Sequence, residues 1–335
     1  MKNPLISILI PFKNVDAFFE ECLGSIQHQE YKNWEVIAVN DHSTDTSLNI
    51  AQQFSKNDSR FKILTNQDAG IITALRKAYT YSNGNYITRM DADDIMTKNR
   101  LSTMINALLE EGKGTLAIGQ VHYFSEHGVN EGYRKYERWL NRLTAAGSNF
   151  KEIYKECVIP SPCWMVHRND FDACNGFDED RYPEDYDLAF RFYEQGLRCI
   201  PCSETLHHWR DYQTRTSRTS EHYAQNYFLE LKLYYFLKLE HDPSKTIVVW
   251  GAGKKGKQIA KSLVDKKMDF KWICNNPNKI GKDIYSTRLR HYSELEHTAK
   301  SLTIITVANE DEQKSIRSYL QKIGKIAAQD FYFFC

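Results

Sequence analysis

The chain opens with a run that has no polar face: LISILIPF (5–12), closed by Pro11 and Phe12. A continuous apolar run of this length predicts a strand covered on both faces. Over 16–28, Phe18, Phe19, Cys22, Leu23 and Ile26 recur at helical spacing. NWEVIAVND (33–41) predicts a second buried strand, and Ser43-Thr44-Asp45 offers N-cap chemistry for a helix through Phe54. FKILT (61–65) predicts a third strand, a helix follows Gly70, and NYITRM (85–90) predicts a fourth strand. Strands joined by helices of this length imply a parallel, doubly wound sheet whose ligands bind beyond the carboxyl ends of the strands. Pro11–Asn14, Asn40–Asp41 and Asp91–Asp94 all fall at such ends and are expected to converge.

From about 100 to 215 the pattern is less regular, with a helix over 99–111, a strand over 115–124 and loops. HYAQNYFLELKLYYFLKLE (222–240) predicts one long aromatic-rich helix, which either packs on a domain or faces a partner or membrane surface. HDPSK (241–245) is a turn-rich linker. TIVVWGAGKKGKQIAKSL then starts a second α/β unit: a strand over 246–250, the glycines of Gly251-Ala252-Gly253-Lys254-Lys255-Gly256, and a helix. Further strands are predicted near 269–274 and 302–307. The expected organisation is a first domain over 1–220, a helix and linker over 221–245, and a small Rossmann-like α/β module over 246–335. GAGKKG is placed for backbone amides to approach a phosphate. The following strand ends in Cys274-Asn275-Asn276, without the acid that would hold an adenine ribose, so a structural or partner-docking module competes with a nucleotide site.

Bulk composition removes some function classes. At 335 residues the chain can bury two cores. Forty-four basic against forty-three acidic residues leave a net charge of +1, so no electrostatic case exists for nucleic acid. No apolar run reaches the roughly 18 residues that span a bilayer, and the N-terminus lacks a cleavable signal's small-residue site. A cytoplasmic protein is expected. Eight cysteines show no disulfide rhythm, so free thiols are expected. Cys199-Ile200-Pro201-Cys202 is a lone CxxC without two further zinc ligands at a fixed spacing.

Two acidic clusters carry the candidate chemistry: Asp91-Ala92-Asp93-Asp94 at a strand end, and Glu184-Asp185-Tyr186-Asp187 at a helix start marked by Pro183. Magnesium and manganese take hard oxygen ligands and keep water or phosphate in several positions, so Asp91 and Asp93 would suffice against a diphosphate. A carboxylate of the second cluster can take the proton of an attacking sugar hydroxyl. The plain alternatives are helix-capping acids in the first cluster and acids at a helix dipole in the second, with Asp187 and Arg191 as a surface i,i+4 pair.

IPFKN, EVIAVNDHSTDTS, GNYITRMDADD and GFDEDRYPEDYDLAFRFYEQG, in this order over about 5–215, resemble the successive signatures of family 2 glycosyltransferases. That resemblance implies a GT-A fold, with a doubly wound mixed sheet, and inverting transfer from a nucleotide-diphospho-sugar with Mn2+ or Mg2+ as cofactor. It implies that the turn of Pro11, Phe12 and Asn14, together with Asp41, lines the donor's base and ribose. Asp91 would lie near the ribose and Asp93 would bind the metal. Asp185 would be the general base, with Glu184 beside it. His208, or His207 in its place, would complete the metal shell, and Arg215 and Arg218 would grip the diphosphate. The implied acceptor is a hydroxyl of a surface glycan or lipid-linked acceptor, reached at the inner membrane face. Peripheral membrane association and homo-oligomerisation stay open. Asn40, His42 and Arg76 depart from the resemblance, where many relatives carry Asp, Gly and Asn, and all three touch the expected donor pocket. The competing readings are an NAD-type oxidoreductase centred on GAGKKG and a non-catalytic nucleotide- or glycan-binding scaffold.

Overall fold

The computed structural model of the protein describes residues 3–215, 218, 225–298 and 300–335. It divides into two compact units, Met1–Phe150 with Val158–Ser220, and Lys151–Cys157 with Glu221–Cys335.

The first unit alternates strand and helix as the apolar pattern requires: β1 (Ile6–Phe12), α1 (Asp16–Gln27), β2 (Trp34–Asn40), α2 (Ser47–Asn57), β3 (Phe61–Thr65), α3 (Ile71–Thr80) and β4 (Tyr86–Arg89). It continues with β5 (Ile95–Met96), α4 (Arg100–Glu111), β6 (Thr115–Phe124), α5 (Glu131–Ala145), β7 (Trp164–His167), α6 (Arg168–Ala173), α7 (Glu184–Glu194) and β8 (Arg198–Arg210). Its sheet of eight described strands runs β3-β2-β1-β4-β7-β6-β8-β5. β1 pairs in parallel with β2 and β4, and β2 with β3, whereas β7 runs antiparallel to both β4 and β6. The sheet is therefore mixed. β1 and β2 are buried along nearly their whole length, as runs without a polar face must be. Phe19, Cys22, Leu23 and Ile26 of α1 join them in the core, each such side chain contributing about 1.5–3 kcal/mol on burial. α2 is capped differently from the expectation: Thr46 is the N-cap without a side-chain bond, and Asp45 accepts from the Ser47 amide at 3.0 Å.

The second unit contains α8 (Gln225–Leu239), β9 (Thr246–Trp250), α9 (Lys254–Asp265), β10 (Phe270–Cys274), β11 (Asp283–Ile284), β12 (Thr287–His291), β13 (Ser301–Ile305), α10 (Glu310–Lys322) and β14 (Phe331–Phe333). Residues 222–224 of the predicted long helix lie outside the described residues. The sheet order is β11-β12-β10-β9-β13-β14, parallel except for β11. The glycines after β9 have packing reasons. A Cβ on Gly256 would lie 2.1 Å from the Gly251 carbonyl oxygen, and Gly251 has φ +123° with the Thr306 hydroxyl 2.5 Å from where its Cβ would be. Lys279 donates to the Ala252 carbonyl at 2.8 Å. All eight cysteines are free thiols. Among the described residues no helix is long and apolar enough to cross a membrane.

Candidate active site

Three strand ends meet at one edge of the first unit. In register, Phe12 stands opposite Asn40 and Leu9 opposite Arg89. The Asp41 amide donates to the Phe12 carbonyl at 2.8 Å, and the Met90 amide to that of Leu9 at 3.0 Å. The loops beyond interlock. The Asn14 amide donates to Ser43 Oγ at 3.1 Å, and the Thr44 amide returns a bond to Asn14 Oδ1 at 2.7 Å. Asn14 and His42 both adopt left-handed backbone, at φ 51° and 60°. His42 thus occupies a conformation that glycine takes without steric cost. Pro11 is partly exposed and Phe12 buried. Asp41 is buried and accepts from Asn66 Nδ2 at 2.9 Å and from the Gly70 amide at 2.9 and 3.1 Å, so its carboxylate pins the loop between β3 and α3. Arg76 on α3 reaches the other way, donating to the Phe177 and Asp178 carbonyls and to the Asp180 carboxylate at 3.2, 3.0 and 2.8 Å.

The two acidic clusters, ninety residues apart in sequence, share one guanidinium. Arg89, the last residue of β4, is buried; its Nε donates to Asp91 Oδ1 and its Nη1 to Glu184 Oε1, both at 3.0 Å. Neither Arg89 nor its role is singled out by the motif pattern. The available signal is a charge inside a strand otherwise covered on both faces, which has to find a partner. Glu184 and Asp185 start α7 behind Pro183 at the N-cap, as the sequence predicts. Glu184 is buried, Asp185 keeps partial exposure, and Asp185 Oδ1 accepts its neighbour's amide, from Tyr186, at 2.8 Å. Desolvation first, then the Glu184 charge, push the Asp185 carboxyl up to about 7, with Arg89 opposing and Asp91 adding to the rise. Asp187 corrects an expectation: it is buried, not a surface partner, and holds Arg191 at 2.8 Å and Arg181 at 3.0 Å. Arg191 also donates to the Cys174 and Gly176 carbonyls, fastening the loop that leads to α7.

After β4 the chain turns, the Asp94 amide donating to the Asp91 carbonyl at 3.3 Å, and β5 then pairs antiparallel with β8. Successive residues of β8 face opposite sides, which separates the two histidines. His207 is buried and meets Asp94 Oδ2 through Nε2 at 2.9 Å. Its Nδ1 faces Arg100 Nη1 at 3.0 Å. Arginine can only donate, so Nδ1 accepts and Nε2 carries the proton to Asp94. Burial and then Arg100 hold His207 well below the usual histidine pKa, so it is neutral. His208 lies instead against the rings of His122 and Phe124.

Asp93 is buried, and its Oδ2 accepts from the Tyr212 hydroxyl at 2.8 Å. Burial, then Asp94, push its carboxyl up to about 7 against the pull of Arg215. Arg210 donates to the Asp93 carbonyl at 2.8 Å and sits between the rings of Phe18 and Phe124. Arg215 is buried over the Trp209 ring; burial alone would lower its pKa, but Asp94, Tyr123, Asp93 and Asp91 more than offset that. Arg218 is exposed and held by both Asp211 oxygens at 2.7 and 3.0 Å. Thr216 and Ser217 between them lie outside the described residues.

Among the described residues no three His, Cys, Asp or Glu side chains converge as a complete cation cage. Asp91 and Asp93 still fit a magnesium or manganese ion that takes part of its shell from a diphosphate, because they are hard oxygen donors. Burial first, then the charges of Asp94 and Asp91, raise the Asp93 carboxyl to about 7, a rise that an added cation would oppose.

The profile of glycosyl transferase family 2 matches residues 7–174. Glycosyltransferase GlyA of Streptococcus pneumoniae is 34% identical over 121 residues, which are 36% of this chain but 17% of that protein's length. EpsE of Bacillus subtilis is 29% identical over 228 residues, covering 66% of this chain and 78% of its own. Among solved structures, S. aureus TarS 1-349 in complex with UDP-GlcNAc superposes with a TM-score of 0.54 at 16% identity, over 77% of this chain and 71% of that one. The mannosyltransferase PcManGT of Pyrobaculum calidifontis, in complex with GDP-Man and Mn2+, superposes with a TM-score of 0.50 at 17% identity, over 79% and 75%. These two share the fold of the first unit's mixed sheet, the GT-A fold. With a family profile covering half the chain, this protein belongs to glycosyl transferase family 2.

Proposed function

We propose that the protein is a metal-dependent, inverting glycosyltransferase. It moves a sugar from a nucleotide-diphospho-sugar to a hydroxyl of a glycan or lipid-linked acceptor, in the synthesis of a surface polysaccharide. The observation that carries this reading is the Arg89 guanidinium within 3.0 Å of both Asp91 and Glu184, which makes one site of the two acidic clusters. The turn of Pro11, Phe12 and Asn14, with Asp41, receives the base and ribose. Asp93 and Asp91 hold a manganese or magnesium ion, which when bound supplies positive charge against the departing diphosphate. Arg215 adds a buried positive charge beside those acids, and Arg218 a second at the rim.

Asp185 takes the proton of the acceptor hydroxyl. The acceptor oxygen bonds to the anomeric carbon on the face opposite the diphosphate, and the bond to the diphosphate oxygen breaks with its electron pair leaving on the nucleotide. A base with a pKa near 7 is matched to this task, since it is both free to accept a proton and basic enough to do so. Glu184, paired with Arg89, stays the neighbour whose charge raises Asp185. The residues over 246–335 are an accessory, Rossmann-like module in this reading, and the enzyme works at the inner membrane face.

A thermal-shift screen of UDP-, GDP-, dTDP- and CMP-sugars with and without manganese identifies the donor. A stabilisation by one diphospho-sugar that requires manganese is expected, and the absence of any shift counts against the assignment. With that donor, Asp185→Asn should retain donor binding while turnover falls roughly a thousandfold or more.

A further inference from the structure

The Arg89 guanidinium does more than neutralise. It is buried at the end of β4, in register with Leu9 of the central strand, so its stem is fixed by the sheet. Two of its nitrogens reach Asp91 Oδ1 at 3.0 Å, on the side where the strand hands over to the cation-holding turn. A third reaches Glu184 Oε1 at 3.0 Å, in the first turn of α7. Glu184 immediately precedes Asp185, so the separation between donor-side acid and acceptor-side acid is set through one planar, rigid group. A lysine ammonium keeps the charge but cannot hold two carboxylates in a fixed plane.

We infer that Arg89 is a positioning residue of the transfer reaction, acting as a spacer that holds the Glu184–Asp185 helix start at a set distance from the Asp91 turn. This rests on the transferase reading of the site. Rates in such sites depend steeply on alignment, a displacement of about 1 Å costing on the order of a hundredfold. Arg89 therefore governs turnover more than affinity for the nucleotide, which is held by other groups.

The test uses the full chain with Arg89→Lys, Arg89→Met and the double variant Arg89→Met/Glu184→Gln. Manganese with UDP, and with GDP, is the binding probe in calorimetry. Release of UDP from UDP-GlcNAc or of GDP from GDP-mannose is the turnover probe, and hydrogen exchange over 178–187 reports the helix start. Arg89→Lys should bind nucleotide within about threefold of wild type, lose at least tenfold in kcat with KM for donor little changed, and exchange faster over 178–187. Arg89→Met removes the cation that faces buried Glu184 and partly exposed Asp91 and is expected to lose stability. Glu184→Gln in the double variant should restore much of that stability without restoring turnover. Wild-type turnover and exchange in Arg89→Lys, loss of nucleotide binding in it, or recovered turnover in the double variant would each overturn the spacer role. If wild type turns over neither these two donors nor any sugar from the thermal-shift screen, the transferase reading itself fails, while the exchange comparison still decides whether Arg89 holds the helix start.

Discussion

Asp93 shows how a buried carboxyl weighs on stability. Burial first, then Asp94 and also Asp91, raise its carboxyl to about 7, with Arg215 and Tyr212 opposing. An acid whose pKa is raised by folding favours the folded state while protonated, and that contribution is lost as pH rises through about 7. Metal-free wild type should therefore lose thermal stability as pH rises from about 4 to about 7, and the loss should level off above that. Asp93→Asn should flatten that loss and be the more stable protein at pH 8 by a few kcal/mol, while manganese stabilises only wild type. A variant less stable than wild type at pH 8 would contradict the electrostatic account of this site. Asp185 gives a second pH expectation. In the free enzyme kcat/KM should rise with pH through about 7 as its carboxyl ionises, and a flat profile between pH 6 and 8 would exclude it as the base. At this scale the sequence carries the acids clearly, because carboxylates at a strand end and a helix start leave a local signature. Their partners leave none. Arg89 meets Glu184, His207 meets Asp94 and Tyr212 meets Asp93 by tertiary pairing across 95 to 119 positions, and only the mismatch of a polar group in an apolar element hints at them. Strand alternation then explains why His207 meets Asp94 and His208 does not.

Elements with one clean period were legible, and those with mixed environments were not. β1, β2, β3, β6 and β9 fall within a residue of the expected spans because each is either wholly apolar or regularly alternating. β8 lies where the sequence pattern predicts loops. It carries Pro201, alternates buried and exposed positions irregularly, and shifts register against β6 near Gly119 and Gln120. α5 is polar over most of its surface, so its apolar stripe is thin. The glycine loop after β9 is the instructive case, since its motif suggests phosphate while its packing accounts for two of three glycines. Gly256→Ala would push a Cβ to 2.1 Å from the Gly251 carbonyl oxygen, and overpacking of this kind costs about 1–3 kcal/mol. Gly253→Ala meets nothing within 4 Å and should cost much less. Comparing the two by chemical denaturation checks whether the motif is maintained by strand–helix contact. Equal losses would point away from packing.

At the scale of the molecule, the boundary between units does not follow chain order. Residues 151–157 belong to the second unit although they precede β7 and α7 of the first. Tyr154 explains why. It is almost fully buried, stacks on Phe334 at 5.4 Å between ring centres, meets Phe236 and Tyr332 edge-on, and donates to Glu240 at 3.1 Å. Tyr332 donates to the other oxygen of the same carboxylate. Nearby, the buried Lys232 ammonium donates to the Lys155 carbonyl at 2.8 Å. An apolar periodicity cannot reveal this, because KEIYKEC is short and its partners are some 80 to 180 residues away. A fragment ending near 220 would carry Tyr154 without any of these partners and expose its ring. It should aggregate or unfold at lower temperature than the full chain. In the full chain, Tyr154→Ala should destabilise the second unit by about 3–5 kcal/mol, as other large aromatic truncations in cores do. Manganese-dependent nucleotide binding, which the proposed function assigns to residues of the first unit, should survive the substitution. Unfolding followed by hydrogen exchange at β9 and β13 against β1 and β2 separates the two responses: protection lost over the second sheet alone supports the assignment of 151–157, and equal loss over both sheets refutes it.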